Sequence, residues 1–437
     1  MTAPIRAVGL DFGTTNSAIA VIGDDGAVRL ARFAADIAEA PESETFRSIL
    51  FFESTEETGG TEAALSVGND AIRRYLAAGG NGRLIQSLKS FLADRTFQST
   101  DIMGENYSLG DLIAPILIKL RQSAETQFGA LPARIVVGRP VHFSDAQTSD
   151  DDDAARARLD LAVRRAGWDE VVFEYEPVAA AYDYASRITR DETVMIADFG
   201  GGTSDFSILR LKAPRAGSAG ARERFEILGN DGVAIAGDAF DGRMIHHIVA
   251  PALGRGSKYR SPYGATLPAP TWPYARLERW HHLSMLKTRA TLFRLRELER
   301  ESIEPAKIAA LINVIDSDLG YYIFREIERT KLALSEDESA EFDFDDPPTE
   351  IRRLIGRGEL NEWISRLLAE IAGCVDRLMR TVAIDRGEID SVFLTGGSSF
   401  VPAVRRIFEQ RFGAEKIRMG NEFTSVARGL ALRALEA

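Results

Sequence analysis

Two aspartates stand where an apolar, β-branched stretch runs into a glycine turn. Asp11 opens Asp11-Phe12-Gly13-Thr14-Thr15-Asn16 after Ala7-Val8-Gly9-Leu10, and Asp198 opens Asp198-Phe199-Gly200-Gly201-Gly202-Thr203-Ser204-Asp205 after Val194-Met195-Ile196-Ala197. A carboxylate at such a junction can hold Mg²⁺ directly or through waters, and the exposed N–H groups of the turn can approach phosphate oxygens. Thr14, Thr15 and Thr203 add hydroxyls, and Gly200, Gly201 and Gly202 let backbone come close. One such turn alone reads as an ordinary hairpin whose Asp satisfies nearby N–H groups. Two copies, with a third turn at Gly396-Gly397-Ser398, favour a nucleotide clamp.

Other chemistries drop out. The GxxxxGK[ST] loop is absent, and the two Asp-Phe-Gly triplets lack the His-Arg-Asp loop of protein kinases. There is no HExxH or paired-cysteine motif, and the five histidines (142, 246, 247, 281, 282) include two adjacent pairs, poor chelates on a helix. Cys374 is the only cysteine and lies beside an apolar stripe, which makes it a buried structural thiol. The 437 residues carry 53 basic and 65 acidic side chains, and a net charge of −12 disfavours nucleic acid or an anionic membrane as partner. No apolar run reaches the ~18 residues of a membrane span, and no signal peptide precedes the first strand, so a cytoplasmic protein is expected.

The elements that must position these residues follow from local pattern. Each aspartate turn joins two strand-like runs and reads as a β-hairpin. The second copy comes about 187 residues after the first, a spacing that indicates a duplicated lobe and not a solenoid. RIVVGRPV (134–141) and VVFEYE (171–176) read as strands, and Asp150–Gly167, acidic first and basic last, as a helix. Pro177 opens the helix PVAAAYDYASRI. The Pro/Gly/Tyr/Ser-rich stretch 254–273 is expected to be a loop, 212–224 a surface insertion, and Leu283–Arg300 and Leu360–Val382 helices. Strands alternating with helices in both halves mark an α/β protein. Glu328, Lys331 and Ser335 fall three and four apart and share one helix face; spacing alone reads this as a solvated pair.

These residues carry a resemblance that spans nearly the whole chain. GLDFGTTNSAIAV and IADFGGGTSDFSIL are similar to the two phosphate motifs of the ATPase domain of heat-shock protein 70 (DnaK-type) chaperones, within the actin-like ATPase superfamily. FLTGGSSFVPAVRRIF resembles the adenosine motif, EPVAAAYDYA the connecting helix and GDAFDGRM a further family segment. The resemblance implies two duplicated lobes around a nucleotide cleft: 1–190, then 191–414 with an outer subdomain at about 237–346, and 415–437 returning to the first lobe.

It also implies ATP or ADP with Mg²⁺. Asp11 and Asp198 would hold the metal through its waters; Gly13, Thr14, Thr15 and Asn16 would take phosphates from one side, Gly200, Gly201, Gly202 and Thr203 from the other. Lys89 in QSLKSFLAD would neutralise γ-phosphate charge, Glu176 would orient the attacking water, and Asp205 would complete the polar cluster. Glu328, Lys331 and Ser335, with Gly237, Gly396, Gly397 and Ser398 opposite, would hold the adenosine.

Departures qualify the expectation. Phe400 stands where the family commonly has Arg, Phe423 replaces a ribose-side carboxylate, and 254–318 matches the family poorly. The sequence stops at GLALRALEA, without a leucine-rich linker or peptide-binding β-sandwich. The expected activity is therefore a slow, Mg²⁺-dependent chaperone-like ATPase acting as a monomer, with a protein client or co-chaperone as possible partner. A nucleotide-gated interaction module is the alternative, ahead of a small-molecule kinase.

Overall fold

The computed structural model describes residues 4–34, 42–53, 64–78, 82–213, 225–261, 263–279, 286–419 and 424–436. Two sheets of the same design dominate it. In the first, the hairpin Ile5–Asp11/Asn16–Gly23 continues into antiparallel Val28–Leu30. On its other side Ile5–Asp11 pairs parallel with Arg134–Arg139, which pairs parallel with Glu170–Tyr175. In the second, the hairpin Glu192–Phe199/Ser204–Leu211 continues into antiparallel Phe225–Val233, and Glu192–Phe199 pairs parallel with Ser391–Thr395, itself parallel to Ile417–Met419. Strand order and sense agree over five strands, with Phe46–Arg47 an addition beside Asn16–Gly23 in the first sheet, so the repeat is structural and each aspartate turn sits at the same corner of its sheet.

Strands covered on both faces must be apolar on both, and here the two faces differ in size. Val8, Leu10, Ile19 and Val21 pack on one face against the helices Leu109–Phe128 and Ser149–Arg165. The alternate positions Ala7, Ala18 and Ala20 are small and meet Ala427 and Ala431 of the helix Ser425–Ala434. That helix touches backbone directly: a methyl on Gly9 would lie 2.2 Å from Ala431 N, and one on Gly429 1.7 Å from Ala179 O in the helix Glu176–Ala185.

The helix expected over 150–167 runs Ser149–Arg165, opened by a capping box between Thr148 and Asp151 and closed by Arg164 and Arg165. The stretch 254–273 differs from the expected loop. It holds a short hairpin, Lys258–Arg260 with Thr266–Pro268, and leads into the helix Trp272–Leu277; strands of three residues are too short to show a period. Among the described residues the next helix is Arg289–Glu301, where the Thr288 hydroxyl accepts from Thr291 N. Residues 283–285 lie outside the described set, as do 214–224, 421–423 and His281 and His282. Leu360–Val382 is two helices, Arg357–Trp363 and Ser365–Val382, joined at Ile364 along one apolar stripe. Cys374 is fully buried, and burial pushes its thiol up to about 12. Among the described residues no helix is long and apolar enough to cross a membrane.

Candidate nucleotide site

The two aspartate turns face each other across the gap between the sheets. A methyl on Gly201 would lie 2.9 Å from Thr15 Oγ1 and 3.3 Å from Thr14 Cβ, so the close approach demands glycine there. Gly200 N donates to Thr203 O at 2.9 Å, which closes the second turn, and Gly13 N donates to Ser17 Oγ at 3.2 Å in the first. Asp238 N donates to Gly201 O at 2.8 Å and ties the second turn to the helix Gly237–Met244. The cavity bounded by Thr14, Thr15, Ser48, Asp238 and Glu328 holds about 20 Å³, room for roughly one water. A triphosphate does not fit in a cavity of this size.

Behind the turns lies a buried acid cluster with one cation. Lys89, on a short 3₁₀ turn (Leu88–Phe91), places Nζ 2.6 Å from Oε1 of Glu176, the first residue of the helix Glu176–Ala185. Asp205 Oδ1 accepts from Val141 N at 2.6 Å. Burial, then the Glu176 charge, raises Asp11 and Asp205 to about 7, with Lys89 working against the rise. Asp198 is held well above the carboxylate range by burial and by Glu176, Asp11 and Asp205. Burial opposes the Lys89 ammonium, yet Glu176, Asp11 and Asp205 outweigh it and hold its pKa above the usual value. Four carboxylates around one lysine are short of positive charge.

That shortage is the test of whether Mg²⁺ belongs here. Among the described residues no three His, Cys, Asp or Glu side chains stand close enough to share an ion directly. Mg²⁺ does not require such a cage: it keeps several waters and takes one or two carboxylates plus phosphate oxygens. Asp11 and Asp198, one from each turn, fit that demand.

The expected adenosine side is only partly assembled. Lys331, on the helix Gly320–Glu336, is committed to Asp241 at 2.6 Å. Glu328 reaches the cleft wall, whereas the Ser335 hydroxyl turns back to the Lys331 carbonyl of its own helix at 3.1 Å. Gly237 backs onto Ser398, with a methyl there 3.0 Å from Ser398 Oγ. Gly396 has φ +82°, Ser398 is buried and Gly397 and Phe400 are exposed. Residues that sequence reading missed also line the cleft: Arg47, Gln86, Asp238 and Asp241. Arg47 sits on a two-residue strand outside any motif, its Nη1 donates a long 3.4 Å bond to Asn16 Oδ1, and its charge acts on Asp238. Asp238 and Asp241 stood within GDAFDGRM, where their pairing with Lys331 carries no local signal; burial, then Asp241, raises Asp238 to about 7.

Two sheets that repeat one five-strand order, with paired aspartate turns over one cleft, define an α/β protein of the actin-like ATPase fold. Comparison with known proteins places it more narrowly. A sequence model of the family described as "Hsp70 protein" matches residues 83–256 and 315–435, well over half of the chain. The "Chaperone protein DnaK" sequences of Thermotoga petrophila, Thermotoga maritima and Thermotoga neapolitana are each 27% identical over 429 residues, 98% of this chain. The chain spans 59% of the length of these relatives. The chain belongs to the Hsp70 family; the model leaves 1–82, which holds the Asp11 turn, and 257–314 unmatched, and the second of these falls within the region expected to depart.

Proposed function

We propose that this chain is a Mg²⁺-dependent chaperone-type ATPase that hydrolyses ATP slowly and passes on its nucleotide state as lobe closure. The observation that carries the reading is the contact of Gly201 with Thr14 and Thr15, in a turn whose Asp11 feels the charges of the buried Lys89–Glu176 pair. Phosphates entering there would meet backbone N–H groups from both turns, with Thr14, Thr15 and Thr203 as hydroxyl partners. Lys89, held by Glu176, would neutralise charge on the γ-phosphate, where most of the stabilisation in phosphoryl transfer is needed. Glu176 and Asp205 would accept hydrogen bonds from the attacking water. Asp11 and Asp198 would hold Mg²⁺ through its waters, and the metal, when bound, supplies charge neutralisation between the phosphates. In such a fold, the change of shape is the output.

A second reading is a nucleotide-gated interaction module with negligible hydrolysis. It is favoured by the adenosine side, where Lys331 is tied to Asp241, Ser335 is turned back and Phe400 replaces a family arginine. Single-turnover hydrolysis measured beside an ATP-binding titration separates them: tight binding with no phosphate release selects the module, and absence of binding sinks both. Under either reading the lobes divide at about 1–190 and 191–414, with 415–437 returning to the first. The partner would be a protein client or co-chaperone, and the working unit a cytoplasmic monomer.

A further inference from the structure

Residues 257–314, which the Hsp70 family model leaves unmatched, carry ten basic and five acidic side chains, a positive surplus inside a chain of net −12. Much of that surplus sits on one helix, Arg289–Glu301. Its Leu295 and Leu298 turn inward and share the core of the second half with Ile308 and Leu311 of the next helix, Pro305–Asp316. Arg289, Phe293, Arg296 and Arg300 follow at steps of four, three and four residues, which is one line along a helix. All four are exposed, Phe293 to 63%.

This line is not arranged for the stability of the chain itself. Arg296 and Arg300 are four apart, where like charges repel. Among the described residues Arg296 pairs with Asp316 at 3.4 Å, and Arg289 and Arg300 pair with no acid. The short hairpin continues the surface past the helix end: Ile303 N donates to the Lys258 carbonyl at 2.9 Å, and Lys258, Arg260 and Ile303 are exposed. Arginines around an aromatic ring are the side chains that carry most binding energy at interfaces. Their charge calls for an anion and the ring for apolar contact.

A nucleic acid or an anionic membrane would carry its charge beyond this patch, onto a remainder more acidic than the −12 of the whole, and Glu297 borders the line of arginines. A short peptide touches the patch alone. We propose that the outward face of Arg289–Glu301, with the adjoining hairpin, is a docking surface for an acidic amphipathic segment of a partner protein. Its carboxylates lie on Arg289, Arg296 and Arg300, and an apolar side chain lies on Phe293.

Docking here involves no nucleotide, so its failure and that of the ATPase reading are separable. Anisotropy titrations of the full chain use a fluorescein-labelled peptide of about 16 residues, Glu with Leu at every third or fourth position. The peptide should bind saturably. Arg289→Glu and Arg300→Glu should each weaken it about tenfold and Phe293→Ser about fivefold. Arg366→Glu, the same charge change at an exposed arginine of the helix Ser365–Val382, should leave affinity within about twofold. All four positions are exposed, and a thermal melt checks that each variant is folded. An oligoglutamate of the same length, a single-stranded DNA of similar length and phosphatidylserine vesicles should each bind more weakly than the peptide. No saturable binding of the peptide, equal loss from Arg366→Glu, no loss from Phe293→Ser, or any of the three competitors bound as tightly would overturn the proposal.

Discussion

Lys89 Nζ lies 2.6 Å from Glu176 Oε1 across 87 residues of sequence, with each side chain only 8% exposed. Asp11, Asp198 and Asp205 add their charges around the pair, so the lysine is the local counter-charge for four acids. Lys89→Ala is expected to lower single-turnover ATP hydrolysis on the order of 10²–10³-fold, as removal of one transition-state donor does, with a smaller change in ATP affinity. Breaking one side of a buried pair costs about 3–5 kcal/mol, and adding Glu176→Gln should return part of that in a denaturant melt. Unchanged turnover in Lys89→Ala would remove the lysine from the chemistry.

Gly201 makes the inter-turn contact, so its substitution reports on closure. Gly201→Ala places a methyl 2.9 Å from Thr15 Oγ1 and should hold the lobes apart. Small-angle scattering of the nucleotide-free chain is expected to show a larger radius of gyration than wild type, with near-normal melting. An unchanged radius would mean that the turns yield locally instead.

Asp11, Asp205 and Asp238 each titrate near 7 in the fold, against about 4 for an unfolded carboxylate. The folded chain therefore holds protons that the unfolded chain has released, and its stability falls as pH rises from about 4 to about 7. The urea midpoint of the Mg²⁺-free chain should be lower at pH 8 than at pH 5. Asp238→Asn should shrink that difference by raising the pH 8 value more than the pH 5 value. A midpoint that climbs with pH would contradict the sign.

Arg47 makes one long hydrogen bond among the described residues and lines the cleft beside Thr14 and Thr15. Arg47→Gln is expected to weaken ADP about tenfold and adenosine hardly at all, with a shallower salt dependence. Equal loss for both ligands would assign Arg47 to shape, not charge.

Much of this architecture was legible because its signals are local. The two hairpins, the 150–167 helix and the Pro177 helix each declare themselves through turn residues, caps or a proline within a dozen positions. Lys89 is different: its segment looks like a solvated helix, and only the fold, by setting Leu88–Phe91 against the start of the Glu176 helix, buries it. Arg47 and the Lys331–Asp241 pair were illegible for the same reason, since contacts across 31 and 90 residues leave no periodic trace. The hairpin within 254–273 escaped because its strands are too short to alternate visibly.

The backbone contact of Gly9 with Ala431 has a consequence for the order of events at the ribosome. The strand carrying Asp11 is made well before the helix Ser425–Ala434 that covers its small face. Until Ser425–Ala434 emerges, Ala7, Ala18 and Ala20 remain wet and the first phosphate turn stands on an unfinished layer. A segment made long after the strand thus completes the layer beneath it, and the Asp11 turn gains its full support only once Ser425–Ala434 has docked.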